Sequence, residues 1–286
     1  MTAARLEVLC RGLTRGEDEV WSAVAPAPTA GTSEQDAERA LRAQMAAQPH
    51  DDYIRDISRH HSVPVMDHEV ERFLARVPKG GAIVDVGGCW GWHWRRLALQ
   101  RPDVCVVIVD FVRENLWHAR RVLAPLLGRQ VALVHGDATD LPFPDGSFDA
   151  FWTVQAFQHI PQFPLACQEA YRVMTRGPFA CYSLHAAPLV RAVYRLFGRP
   201  FHQQGQLGTA FYLARASAEQ RRVVAEVFHG KASVRYSECL FHPDLRLTFT
   251  GGEHSLLGKL DAQLSDWPML ARLVARQCAF EATKGA

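Results

Sequence analysis

The sequence predicts an α/β fold in which a doubly wound, mostly parallel seven-stranded sheet carries helices on both faces. The main observation is the alternation, from Ala82 to Leu184, of five short apolar runs with segments of helical periodicity. These runs are apolar throughout rather than at every second residue, which is typical of parallel strands buried on both faces. Two later strand patterns, at residues 233–241 and 276–283, complete the sheet.

The residues before Ala82 lack this alternation. Residues 1–33 are predicted to be an N-terminal appendage and linker, because the second half of this segment is rich in Pro, Ala, Gly and Thr. Residues 34–81 are predicted to form helices that cover an active site. Ser33 and Asp36 have the spacing of a loose capping box for the first helix, and apolar residues share one face from Val65 to Val77 in the second.

Residues 82–286 are predicted to form the main, ligand-binding domain. The apolar runs place its first five strands at residues 82–86, 104–109, 131–135, 150–154 and 179–184. Segment 186–232 then interrupts the alternation with two helical patterns before the closing strands. We expect this inserted segment to be a lid over the site, although a plain packing role fits the same pattern.

Charge and cysteine usage narrow the class of protein. The formal net charge of the 286 residues is only +2, which argues against a nucleic-acid partner. The seven cysteines are scattered without a CxxC pair, which favours reduced thiols. The first residues lack a signal-peptide pattern, and no apolar run is long enough to span a bilayer. We therefore expect a cytoplasmic protein without a membrane partner, present as a monomer or a homodimer.

The turn after the first predicted strand is the most informative stretch. It reads AIVDVGGCWGW from Ala82 to Trp92 and contains an acid followed by three glycines. A dinucleotide-binding turn has the pattern GxGxxG, which counted from Gly87 requires glycine at positions 89 and 92. The chain has Cys89 and Trp92 there. NAD and FAD are therefore excluded by this motif.

The order Asp85, Gly87, Cys89, Gly91, with Gly88 beside it, resembles the acid-x-G-x-G-x-G motif of the class I S-adenosylmethionine (SAM)-dependent methyltransferases. Cys89 stands where glycine is usual. The stretch HGDATDLPFPDGSFDAFW, residues 135–152, resembles a segment of the UbiE-like (methyltransferase type 11) branch of that family. EAYRVMTRGPF, residues 169–179, resembles its helix and turn before the fifth strand. The resemblance covers about Val65 to Leu184 and implies the Rossmann-like methyltransferase fold.

Several residues are expected to bind SAM. Asp110 ends the second strand roughly 20 residues beyond the glycines, where a carboxylate can accept both ribose hydroxyls. Phe111 follows it and is expected to pack on the adenine. The resemblance implies that Asp137 and Ala138 bind the adenine through a carboxylate and a backbone N–H. It also implies that Gln155 and the turn from Asp85 to Gly91 contact the methionine end.

The acceptor and the chemistry are less sharply predicted. Methyl transfer is an in-line displacement, so a base is needed only where the acceptor must lose a proton. His159 is the candidate base, and helix packing is its alternative role. Tyr53, His60 and His202, the last with its neighbours Gln203 and Gln204, are candidate acceptor contacts. No histidine has convincing partners at metal-ligand spacing, so no metal site is expected.

The sequence thus predicts a SAM-dependent methyltransferase that methylates an oxygen, nitrogen or carbon atom of a small-molecule acceptor and releases S-adenosylhomocysteine. Two alternatives remain open at this point. One is an RNA or other nucleic-acid methyltransferase, and the other is a SAM-binding protein without transferase activity.

Overall fold

The computed structural model describes residues 2–23, 33–185, 187–199, 217–230 and 232–285. The described residues form a single mixed sheet of nine strands. Their bounds are β1 Leu13–Arg15, β2 Val20–Ala23, β3 Ala82–Val86, β4 Cys105–Asp110, β5 Val131–His135, β6 Ala150–Val154, β7 Gly177–Leu184, β8 Ser233–Ser237 and β9 Gln277–Lys284.

Eleven α-helices lie within the same described ranges. Their bounds are α1 Thr2–Leu9, α2 Ser33–Ala46, α3 His50–Ile57, α4 Val63–Leu74, α5 Leu97–Gln100, α6 Arg113–Val122, α7 Phe163–Val173, α8 Pro188–Leu196, α9 Ser217–Val227, α10 Leu256–Leu264 and α11 Pro268–Val274. Short 3₁₀ turns add residues Ser58–His60, Trp92–Trp94, Phe157–His159 and Pro243–Leu245.

The strand order across the sheet is β1-β2-β5-β4-β3-β6-β7-β9-β8. The six strands from β2 to β7 in this order run parallel to one another. The outer pairs β1–β2, β7–β9 and β9–β8 are antiparallel. The predicted doubly wound α/β class is confirmed. The strand number is larger by two, because β1 and β2 extend the edge next to β5 and are too short, at three and four residues, to show a periodic pattern.

Residues 2–23, predicted to belong to an appendage, therefore join the sheet. Leu6 and Leu9 of α1 are buried in the same apolar cluster as α7, α9 and one face of the central strands. Helices α4, α5 and α6 bury their apolar side chains against the opposite face. The sheet is thus covered on both sides, as its continuously apolar central strands require.

Strand β3 is the switch point of the sheet. It pairs with β4 on one side and β6 on the other, so the chain leaves β3 and winds first in one direction and later in the other. In open α/β sheets a crevice forms at this point beyond the carboxyl ends of the strands. The fold therefore places the turns that follow β3, β4, β5 and β6 around one crevice.

Candidate functional site

A cavity of about 350 Å³ occupies this crevice. It is lined by most of the residues that the sequence analysis singled out, namely His60, Gly87, Gly88, Cys89, Asp110, Phe111, Asp137, Ala138, Gln155 and His159. Helix α2 forms another part of the wall, with Gln35, Glu38 and Arg42 among its lining residues. The structure thus brings together the ends of four strands and one N-terminal helix.

The turn after β3 holds its backbone against the next turn of the sheet. Gly87 has φ +72°, and a Cβ built there would lie 2.2 Å from the Cβ of Ala156. Cys89 has φ +53°, a left-handed conformation that is unusual for a residue with a side chain. The backbone therefore keeps at Cys89 a conformation that favours glycine. The turn thus keeps the backbone shape expected with glycine at this position, although the residue is a cysteine.

Asp85 lies beneath this turn and not in the cavity wall. Its carboxylate is buried and accepts a hydrogen bond of 2.7 Å from Nε1 of Trp94, while its other oxygen has no hydrogen-bond partner. Burial raises the pKa of Asp85 to about 7, although the Trp94 hydrogen bond acts in the opposite direction. Gly91, at φ +69°, also lies behind the wall, where a Cβ would meet Leu123. These two residues shape the turn rather than line the cavity.

Asp110 presents its carboxylate at the end of β4. One oxygen accepts the backbone N–H of Cys89 at 3.1 Å, and the other accepts the N–H of Val112 at 2.9 Å and Nδ2 of Asn115 at 3.2 Å. Burial raises the pKa of Asp110 to about 6 against these hydrogen bonds. A carboxylate accepts about four hydrogen bonds, so one position remains for a further donor.

Asp137 follows β5 and is bonded to both its own turn and α2. One oxygen accepts the N–H and the hydroxyl of Thr139 at 2.8 and 2.7 Å, and the other accepts Nε2 of Gln35 at 2.6 Å. Arg39 of α2 lies 3.6 Å from the same oxygen and stacks over the Phe111 ring at 5.8 Å. An amide donor of α2 therefore already occupies the carboxylate expected to bind adenine.

His159 lies in a buried cluster with Glu38 and Arg42. Its Nδ1 is 3.2 Å from a Glu38 oxygen, and Nη2 of Arg42 is 3.3 Å from its Nε2. Burial and the Arg42 charge lower the pKa of His159 to about 4, despite the hydrogen bond to Glu38. The imidazole is therefore neutral near pH 7, and it connects the turn after β6 to α2.

Gln155 begins the turn after β6 with φ +51°. Its backbone N–H donates to the Tyr182 carbonyl at 2.8 Å, and its side-chain amide donates to Gln277 at 3.0 Å. Gln155 and Cys89 thus both hold left-handed backbone on the cavity wall. Such conformations cost about 1–3 kcal/mol each and are concentrated at functional sites.

The structure corrects the expectation for Tyr53. This side chain is buried behind the wall, stacked on His118 with ring centroids 3.9 Å apart, and it does not line the cavity. Its hydroxyl lies 2.6 Å from the Cys89 sulfur and donates to Asn115 at 2.7 Å. Tyr53 therefore supports the turn that carries Cys89 and, through Asn115, the Asp110 carboxylate. It does not face an acceptor.

The end of the cavity away from Asp137 contains residues that the sequence analysis missed. Arg276 and His93 line it, together with His61 beside the predicted His60. Arg276 donates to the buried carboxylate of Glu238 at 2.7 Å. Burial lowers the pKa of His93 to about 3. Arg276 is more than 180 residues after His93 in the sequence, so no local motif could have joined it to the histidines.

The inserted segment, the tryptophans near the cavity and the side chains able to bind a metal remain to be described. His202, Gln203 and Gln204 lie outside the described residues, and the described part of segment 186–232 contributes nothing to the cavity wall. Trp94 is buried in the core, whereas Trp90 and Trp92 stack on each other with centroids 4.8 Å apart and line the cavity. Within the described ranges, no three His, Cys, Asp or Glu side chains are grouped to hold a metal ion.

The segment of the chain that forms most of this crevice resembles known proteins. Residues 83–177 match the family model described as a methyltransferase domain. This segment of the chain is similar to a methyltransferase domain. A ubiquinone/menaquinone biosynthesis C-methyltransferase, UbiE, of Bradyrhizobium is 37% identical over 153 residues, which are 51% of this chain and 57% of that protein. A demethylmenaquinone methyltransferase of Listeria monocytogenes is 32% identical over 36% of this chain and 44% of its own length.

Solved structures share the fold at low sequence identity. A Haloferax volcanii methyltransferase in complex with the Trm112 activator has a TM-score of 0.54 and 20% identity, over 85% of this chain and 97% of its own. A methyltransferase of Thermotoga maritima has a TM-score of 0.54 and 15% identity, over 86% and 99%. The chain spans about half the length of the curated relatives it matches. In the part that the structure describes, no helix has the length and apolar character needed to cross a membrane.

Proposed function

We propose that the protein transfers the methyl group of SAM to a small-molecule acceptor. The observation that carries this proposal is the convergence, on one cavity, of the turn at Gly87–Cys89, the carboxylate of Asp110 and the turn at Asp137–Ala138. These three groups suit the methionine end, the ribose and the adenine of SAM in that order. They come from the ends of β3, β4 and β5, which are neighbours in the sheet.

The residues present fit such a cofactor. Gly88 admits no side chain, since a Cβ there would lie 2.5 Å from the Asp85 carboxylate, so the backbone itself forms the wall. Asp110 has a vacant acceptor position in a cavity whose size is within the range of about 300–1,000 Å³ for small-molecule sites. Gln35 donates to Asp137 as an adenine amino group would. Binding of adenine in this mode requires that Gln35 releases the carboxylate.

SAM when bound supplies a methyl group on a sulfonium, which is a good leaving group. The protein's own contribution is then alignment and exclusion of water. Asp110 and Asp137 orient the nucleoside, while α2 closes one side through its contacts with Asp137 and His159. His159 remains a proposed base, and its lowered pKa means that it would accept a proton only from an acidic acceptor.

The acceptor is proposed to bind at the end of the cavity formed by His60, His93 and Arg276. Val63, Met66 and Leu184 also line the cavity, so polar groups stand among apolar side chains. This mixture suits a ring compound that carries oxygen substituents. The Bradyrhizobium relative is named for ubiquinone and menaquinone biosynthesis and for methylation at carbon, and the Listeria relative for demethylmenaquinone. We therefore propose a quinol ring, the reduced and electron-rich form of a quinone, as the first acceptor to test. Its ring carbon would take the methyl group and lose its proton, and S-adenosylhomocysteine would leave as the neutral thioether.

Calorimetric titration of S-adenosylhomocysteine into wild type, Asp110→Asn and Asp140→Asn tests the cofactor site. Hydrogen bonds to a charged group contribute about 1.5–3 kcal/mol, so Asp110→Asn should weaken binding about 10- to 100-fold. Asp140→Asn changes an exposed acid in the neighbouring turn and should bind like wild type. Absence of binding to wild type would contradict the assignment of the cofactor.

The same titration has a predicted pH dependence. The pKa of Asp110 is raised to about 6, so its carboxylate is ionised above pH 6 and protonated below it. Affinity should therefore be highest above pH 7 and fall up to about tenfold between pH 6 and pH 5. Asp110→Asn should lack this dependence. Incubation with methyl-labelled SAM and a set of quinols then distinguishes a transferase from a protein that only binds SAM.

A further inference from the structure

Helix α8 presents an apolar face that no other described part of the chain covers. Val190 and Tyr194 are buried, whereas the adjacent face exposes Leu189, Val193, Leu196 and Phe197. These four residues follow the i, i+4, i+7, i+8 spacing of a single helix face. Leu196 is 84% exposed, so this face is fully open to solvent at its end.

The two helices near the C-terminus extend this apolar surface. Helix α11 packs against α8, and α10 precedes α11 after a three-residue turn. Their exposed apolar side chains are Leu256, Leu257, Leu260, Trp267, Met269, Leu270 and Leu273. Scattered exposed apolar residues are normal, but a set this large on neighbouring helices indicates an interaction surface.

Exposed cations accompany these side chains. They are Arg191, Arg195 and Arg199 on or just after α8, Lys259 on α10 and Arg272 on α11. Residues 187–199 contain no carboxylate, and residues 256–274 contain two. Asp261 is buried against backbone N–H groups, and Asp266 forms an ion pair with Arg235. We call the eleven apolar residues and five cations on α8, α10 and α11 the apolar-basic face.

We propose that the apolar-basic face docks the protein on the surface of an anionic lipid bilayer. Amphipathic helices with leucine and aromatic side chains on one face and Lys or Arg beside it lie in the headgroup region of membranes. The cations of this face would then lie against anionic headgroups, so the two surfaces have complementary charge. A second copy of the chain would bring a cationic surface against a cationic surface, which disfavours a symmetric dimer through this face.

The position of the apolar-basic face links it to the proposed acceptor end. Helix α10 packs on α4, and Gly258 of α10 lies against Pro64. The preceding residue, Val63, lines the cavity and donates its N–H to the Gly251 carbonyl in the segment before α10. Docking would thus hold the acceptor end of the cavity close to the lipid. The docking itself does not depend on methyl transfer and differs from the sequence-based expectation of no membrane partner.

Co-sedimentation of the full chain with vesicles tests this proposal. Vesicles of phosphatidylcholine mixed with phosphatidylglycerol should bind the wild type, whereas phosphatidylcholine alone should bind it at least tenfold more weakly. Leu196→Ser with Phe197→Ser should lower partition at least tenfold, because both apolar side chains lose their burial in lipid. Arg195→Gln with Arg199→Gln should also lower it about tenfold, because each cation near an anionic surface contributes a several-fold factor.

Leu99→Ser is the matched control, since Leu99 is 86% exposed on α5, outside the apolar-basic face. It should bind vesicles like wild type. All variants should retain the thermal unfolding midpoint and S-adenosylhomocysteine binding of wild type, which separates lost docking from lost folding. Absence of vesicle binding by wild type, or an equal loss in Leu99→Ser, would overturn the proposal. So would a wild-type dimer that the Leu196 and Phe197 changes dissociate while vesicle binding stays unchanged.

Discussion

The two ends of the cavity are built in different ways. At the cofactor end, Asp110 and Asp137 each stand at the end of a strand, and their partners are mostly within five residues in sequence. At the other end, Arg276 donates to the His60 carbonyl at 3.3 Å and to the Glu238 carboxylate at 2.7 Å, and His93 lines the same cavity. The first end is therefore specified by local turns on a fixed sheet. The second depends on distant segments packing together, so the two ends should respond differently to substitution.

The largest effect on stability is expected for Arg276, at the end of the cavity that distant segments form. Its guanidinium and the Glu238 carboxylate are both buried, so Arg276→Met leaves Glu238 inside the protein without its arginine, while the Ser62 N–H at 2.9 Å and His61 at 3.7 Å remain beside it. Removal of one partner of a buried pair costs about 3–5 kcal/mol. We expect urea denaturation to show this loss in the free energy of unfolding, while the folded variant binds S-adenosylhomocysteine within about threefold of wild type.

Two further variants make this result specific. Arg222→Met breaks the exposed ion pair with Glu226 and should cost less than about 1 kcal/mol. The double change Arg276→Met with Glu238→Leu should recover most of the lost stability, because no buried charge remains. If S-adenosylhomocysteine affinity collapsed in Arg276→Met, the two ends would be one cooperative unit and the comparison would be wrong.

A smaller loss is expected at Gly87, on the cofactor end. Gly87→Ala adds a Cβ 2.2 Å from the Ala156 Cβ at φ +72°, so both backbone strain and overpacking destabilise it. We expect a loss of about 2–4 kcal/mol in urea denaturation and at least tenfold weaker S-adenosylhomocysteine binding. Gly80→Ala is the control, since Gly80 has φ +69° with nothing within 4 Å of its added Cβ. It should lose about 1–2 kcal/mol from strain alone and leave binding unchanged.

The same contrast explains which parts of the site were predictable. Asp110 and Asp137 follow apolar strands at regular intervals, so the strand pattern alone assigns them to one edge of the sheet. Arg276 directly precedes β9 and its ion-pair partner Glu238 directly follows β8, 38 residues earlier, so the two meet only when β8 and β9 pair. Such a pair forms only through tertiary packing. His93 lies between two tryptophans in the short turn Trp92–Trp94, where no motif marks it as a site residue.

The prediction of the fold from the sequence has a similar limit. Five strands of the central sheet are continuous apolar runs long enough to identify, and the structure places each within two residues of its predicted bounds. Strands β1 and β2 have three and four residues and owe their conformation to pairing with β5. Tyr53 was misplaced because burial against His118 and Cys89 cannot be inferred from its position in a charged segment.

The smallest expected effect concerns His159, which stands between the two ends. In the structure its ring contacts Glu38 and Arg42 of α2, so we expect it to act as a positioning residue. His159→Ala should then speed the hydrogen exchange of α2 amides about tenfold, because one buried charge-assisted hydrogen bond is lost. His135→Ala, which removes a bond to the Phe111 carbonyl outside α2, should leave those amides unchanged.

Measurements of turnover distinguish a positioning role of His159 from that of a general base. With an acceptor found by screening, a positioning residue should cost less than about tenfold in kcat, whereas loss of a general base costs about 10²–10⁴-fold. His159→Gln should restore part of the loss if the ring only supplies hydrogen bonds to α2, because an amide can both donate and accept. A large loss in kcat that glutamine does not rescue, with α2 exchange unchanged, would return His159 to the chemistry. Such a result would show that its low pKa serves an acidic acceptor rather than the packing of a helix.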